Sequence, residues 1–139
     1  MALGTIEKVL ILKSADLFSE VPDEDLADIA PFLASVYLDP EETVIKEGEH
    51  GDELYILVSG GVRVERGGGV VTELEPGDVF GDLAALDPEP RAATVVATAP
   101  TQVLALSNDH LLALLESNVE IAAGVISTLV RRLRRSQQY

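Results

Sequence analysis

Gly81, Asp82 and Arg91 are the residues best placed to do chemistry together. They lie in "FGDLAALDPEPRAATV", residues 80–95, with small side chains around them. Holding a phosphate ester takes backbone N–H donors, a cation and close approach. Gly81 has no side chain to block that approach. "DLAAL" can form one helical turn, whose first N–H groups have no partner within the helix. Ala84 and Ala85 keep its surface open, and Arg91 brings a forked, permanently charged donor set. Asp82 repels phosphate but can accept a hydrogen bond from a hydroxyl beside it, such as that of a ribose. The competing reading is plain: Arg91 pairs with Asp82 or Glu89 and closes a surface loop.

Other chemistry finds little footing. The chain has no cysteine, which excludes a disulfide framework, a thiol nucleophile and a cysteine-based metal site. His50, in a turn, and His110, at a helix start, have no partner at metal-binding spacing and read as structural or solvent-exposed. No Ser-His-Asp order, paired-carboxylate cleft or Walker loop is present, so no enzyme and no required cofactor or metal is expected. The net charge is −14. A chain this acidic does not present the basic face that nucleic-acid binding needs. The last twenty residues carry four arginines and one glutamate. Their "RRLRR" reads as a solvated helix end, where cations suit the dipole. No membrane span or leader is read, and a cytoplasmic location is expected.

The elements that must position the cradle fall into three blocks. Residues 1–34 read as helices: a short piece from Ile6 to Lys13, then a helix opened by Pro22. In the second helix Leu26, Ile29, Ala30 and Leu33 make one apolar face that Pro31 interrupts. Residues 35–106 alternate short β-rich runs with Gly/Pro turns: "SVYL", "TVIK", "LYILVSG", "VRVER", "VVTEL", "ATVVAT" and "QVLALS". No space for crossover helices separates them, so the sheets are antiparallel, a sandwich or barrel. Residues 107–139 return to the helical period, with Ser107 as N-cap and Asn118 as a break or cap. Val119, Ala122, Ala123, Ile126, Leu129, Val130 and Leu133 form a stripe along the last helix. The expectation is one mainly β domain, 1–139, flanked by helices.

"EGEHGDELYILVSGGVRV", residues 47–64, is similar to the signature of cyclic-nucleotide-binding domains, through Gly48, Gly51, Asp52, Tyr55, Gly60, Val62 and Val64. Residues 76–95 resemble the same family's phosphate-binding cassette, with Gly81, Leu83, Ala84, Pro90, Arg91, Ala92, Ala93 and Thr94 in register. The resemblance is of the catabolite-activator and protein kinase A regulatory-subunit type and covers almost the whole chain. It implies an eight-stranded antiparallel jelly-roll barrel and a bacterial signalling module that senses cAMP or cGMP. By position it implies ligand contacts from Gly81, Asp82, Leu83, Ala84, Arg91, Ala92 and Ala93. Arg91 would meet the cyclic phosphate, helped by the N–H groups of Ala84 and Ala92, while Gly81 and Asp82 would face the ribose hydroxyl. Ala92, lacking a hydroxyl, leans toward cAMP. Val125, Leu129 and Leu133 are the candidates for an apolar lid over the base.

Three positions depart from the family pattern: Asp82 stands for the usual Glu, Pro88 for a glycine, and Ala85 for a larger aliphatic. The expected function is a sensor that signals through its C-terminal helices to a fused or separate effector, with a homodimer through the last helix as a further expectation. No DNA-binding domain is read in this chain. The alternative is a degenerate fold serving as a structural or interaction module without nucleotide.

Overall fold

A computed structural model describes residues 2–137; the side chains of Leu83 and Gln137 lie outside the described ones. Helix α1 spans Thr5–Ser14 and α2 spans Asp23–Ile29, each followed by a single 3₁₀ turn, Asp16–Phe18 and Ala30–Phe32. Pro31 falls inside the second of these turns, so α2 ends just before the proline that interrupts its apolar pattern. Eight strands follow: β1 Ala34–Leu38, β2 Thr43–Ile45, β3 Glu53–Ser59, β4 Val62–Arg66, β5 Gly69–Leu74, β6 Val79–Phe80, β7 Thr94–Ala97 and β8 Thr101–Ser107. Helix α3, Asp82–Leu86, sits between β6 and β7; α4, Asn108–Ser117, and α5, Val119–Gln137, close the chain.

The strands form two four-stranded sheets, ordered β1-β8-β3-β6 and β2-β7-β4-β5. Every strand pair is antiparallel. This is the jelly-roll barrel flanked by helices that the sequence reading expected. Of the eight strands, seven correspond to the β-rich runs. The eighth, β6, has two residues, too few for a period to show.

The first sheet is a wall shared by two cores. Leu54, Ile56, Leu104 and Leu106 face the helices, against Leu12, Phe18, Leu26, Ile29, Leu111 and Ile121. Tyr55, Leu57, Val103 and Ala105 point the other way, into the barrel with Leu38, Val62, Phe80 and Val95. Both faces of β3 and β8 are therefore dry, which is why "LYIL" and "VLAL" read as unbroken apolar runs. A strand buried on two sides is a rigid support, and β3 and β6 carry the cradle.

Candidate functional site

The cradle is built at the end of β6, where the chain leaves Phe80 and turns through Gly81 at φ +75°. That left-handed conformation favours glycine. It starts α3, which lies over β3, and its Ala85 N–H donates to the Gly81 carbonyl at 3.3 Å. Asn108, at the start of α4, donates from its side-chain amide to the Ala85 carbonyl. The cassette is thus tied to the helical layer. Its far end is strapped to the turn after β2. Arg91 N–H donates to the Glu49 carbonyl and Gly48 N–H to the Arg91 carbonyl, both at 2.9 Å, and Glu47 N–H donates to Thr94 Oγ1 at 2.9 Å. Pro88 and its neighbours form an exposed loop, and the backbone still delivers Arg91 to the interior.

Arg91 is buried, with 8% of its surface exposed. Its Nη1 donates to the Gly81 carbonyl at 3.1 Å and its Nη2 to the Glu53 carbonyl at 2.8 Å. Among the described residues it forms no ion pair, so the plain reading, in which it closes a loop on Asp82 or Glu89, is not what the structure shows. Two glycines make room for it. A Cβ on Gly51 would lie 2.7 Å from Arg91 Nε, and one on Gly81 would lie 2.8 Å from Nη1 and 2.9 Å from the Glu53 carbonyl oxygen. Close approach at Gly81 therefore serves the arginine. Beneath it Tyr55 stacks on Phe80 with ring centroids 5.3 Å apart. Burial, then the neighbouring Glu53 carboxylate, pushes the Tyr55 phenol up to about 12.

A cavity of about 570 Å³ opens over these groups. Gly81, Asp82, Ala84, Arg91, Ala92 and Ala93, all expected site residues, line it. Its far wall is apolar: Ile45, Val64, Val95 and Leu129. Of the lid candidates, Leu129 lines the cavity. Val125 is packed in the helical core, and Leu133 is exposed and away from the lining. Ala85 is fully buried behind α3 and does not face the cavity.

Asp82 has a partner that the sequence reading missed. Arg132 Nη1 donates to Asp82 Oδ2 at 2.7 Å, while Nε and Nη2 reach Asp16 Oδ2 at 2.9 and 2.8 Å. Burial works against the charge of Arg132, but these hydrogen bonds outweigh it and raise its pKa. The "RRLRR" tail is thus not wholly a solvated end. Arg134 and Arg135 are exposed, whereas Arg132 enters the site. The stripe read on α5 is for the most part not the face that meets the core. Ile121, Val125 and Thr128 are buried, whereas Val119, Ile126, Val130 and Leu133 are exposed. Arg132 continues the buried series at i, i+4, i+7 and i+11, the spacing that placed it.

The fold is a jelly-roll barrel with a buried arginine beside a short helix, and comparison with known proteins gives its class. The family model of the cyclic nucleotide-binding domain matches residues 35–118, and the chain belongs to that family. A CRP-like cAMP-activated global transcriptional regulator from Mycobacterium tuberculosis is 32% identical over 131 residues, 91% of this chain and 58% of the relative. A cAMP-dependent protein kinase regulatory subunit from Eremothecium gossypii is 37% identical over 123 residues, 85% of this chain and 27% of the relative. The chain therefore spans little more than half of the first relative and about a quarter of the second. Among solved structures, the N-terminal domain of a transcriptional regulator from Streptomyces coelicolor A3(2) superposes with TM-score 0.83 at 29% identity, covering 92% of this chain and 93% of that one. The regulatory domain of Toxoplasma gondii PKA, co-crystallised with cAMP, gives TM-score 0.74 at 31% identity, covering 79% and 44%.

Proposed function

We propose that the chain is a regulatory module whose cavity takes one cyclic nucleotide, cAMP in preference to cGMP, and reports it through α5 to a fused or separate effector. The observation that carries this is Arg91. A buried guanidinium held by two carbonyls, with no carboxylate beside it, is a charge waiting for an anion. It faces a cavity whose far wall is apolar, with room for a sugar and a base. Gly81, Asp82, Leu83, Ala84, Arg91, Ala92 and Ala93 are the proposed contacts, and Ala92 favours cAMP. The relatives named above, a cAMP-activated regulator and a cAMP-dependent kinase's regulatory subunit, support a sensing role over catalysis. Among the described residues no single helix is long and apolar enough to cross a membrane.

Transmission follows from Arg132, which ties α5 to the cassette carboxylate. A nucleotide that engages Asp82 more favourably in one placement of α5 shifts the helix toward that placement. The exposed α5 residues Val119, Ile126, Val130 and Leu133 suit a homodimer. The pairing of Asp82 with Arg132 also favours a second reading, a domain that keeps the fold and has lost the ligand.

Titration calorimetry with cAMP and cGMP separates the two. Binding of cAMP more tightly than cGMP, weakened at least tenfold in Arg91→Ala, is expected. No heat from either nucleotide at millimolar concentration would sink the sensor and leave the interaction module.

A further inference from the structure

The Arg132 guanidinium is shared between two carboxylates from distant parts of the chain. Asp16 starts the 3₁₀ turn after α1, and Asp82 starts α3. Asp16 Oδ2 accepts from Nε at 2.9 Å and pairs with Nη2 at 2.8 Å, so Asp16 holds one edge of the guanidinium and Nη1 reaches Asp82. The frame behind this bridge is tight. Thr128, one turn earlier on α5, is 1% exposed and its Oγ1 donates to the Asp16 carbonyl at 3.4 Å. Gly124 lets α5 pass so close to Val21 that a Cβ would lie 2.7 Å from Val21 Cγ2. The backbone near Asp16 and that of α5 are therefore held together, and Arg132 can choose only how its donors are divided.

That division matters at Asp82. Its Oδ2 accepts from Arg132, and its Oδ1 has no partner among the described residues. An arginine free of Asp16 pairs with a lone carboxylate through two parallel bonds, the favoured forked geometry, and engages both oxygens. We infer that Asp16 is a positioning residue for ligand recognition: by holding one edge of Arg132 it keeps Oδ1 of Asp82 open for the ribose 2′-hydroxyl of a bound cyclic nucleotide. The inference rests on the sensor reading above and adds a residue outside the cavity that sets how strongly the sugar is read.

The test compares cAMP with 2′-deoxy-cAMP by calorimetry. A hydrogen bond from a neutral hydroxyl to an ionised carboxylate makes the natural sugar preferred by roughly tenfold. Asp16→Asn weakens the hold on Arg132, the fork closes on Asp82, and the preference falls to about twofold or less. Removing a negative charge near the site raises affinity for both ligands alike, so the ratio is insensitive to that effect and to a general loss of stability. Arg132→Met approaches the same bridge from its other end: both oxygens of Asp82 are freed, the preference is kept, and adding Asp16→Asn changes nothing further. A preference unchanged by Asp16→Asn alone, or lowered equally by it in the Arg132→Met background, overturns the inference. Failure of the wild-type chain to bind cAMP removes the sensor reading as well, whereas binding with an insensitive ratio removes only the role of Asp16.

Discussion

At the scale of residues the site turns on how much space surrounds one guanidinium. Gly51 and Gly81 both touch Arg91, but they do not restrict substitution in the same way. A Cβ at Gly51 meets only side-chain atoms of Arg91, so the arginine can shift while the backbone stays in place. A Cβ at Gly81 meets the Glu53 backbone and also demands a left-handed φ from a residue with a side chain. Gly51→Ala is thus expected to keep its stability within about 1 kcal/mol while cAMP affinity drops about tenfold or more, read by denaturation and calorimetry together. Gly81→Ala is expected to lose about 1–2 kcal/mol of stability from its backbone alone. Equal effects of the two substitutions on stability would contradict this division. The motif placed Gly51 in the family pattern, but nothing in its spacing linked it to an arginine forty residues later.

The elements matter most where α4 meets α5. The two helices are bent by 112° at Asn118. Its side-chain oxygen accepts from Glu120 N–H at 3.0 Å and Ile121 N–H at 3.2 Å, capping α5. Its amide donates to Asp25 at 2.9 Å and Asp28 at 3.3 Å, pinning the junction to α2. The break was legible as a cap; the contact with α2, ninety residues away, was not. Asn118→Ala loses cap and pin together and is expected to destabilise the chain by about 1–2 kcal/mol. If α5 moves when ligand binds, the substitution also changes cAMP affinity; stability at the wild-type value in urea would show that the junction is held elsewhere. The stripe of the last helix belongs to this scale as well. The last helix is apolar on more than one side, and periodicity cannot say which side meets the core.

Over the whole molecule, charge opposes the proposed ligand. Among the described residues Arg91 is the one cation lining the cavity, whereas Asp82, Asp87 and Glu89 also line it, within a chain of net charge −14. Short-range hydrogen bonds to Arg91 are little affected by salt, while the long-range repulsion is screened over roughly 10 Å at 0.1 M. Raising salt from about 0.02 M to about 0.2 M is therefore expected to tighten cAMP binding by about twofold, against the usual trend for anion sites. Affinity that falls with salt would mean that Arg91 and Arg132 set the field at the cavity.

The sequence by itself determined the order of helices and barrel, seven of the eight strands, and the cassette that holds Gly81, Asp82 and Arg91. These features are local: periodicity, turn residues and spacing within about twenty positions are enough to carry them. The tertiary structure alone decided which partners those residues have. Arg91 rests on the carbonyls of Gly81 and Glu53, and Asp82 is met by an arginine fifty residues on that also holds Asp16. Such contacts depend on where separate elements come to rest against a shared sheet. That is set by packing in three dimensions, which no local pattern records.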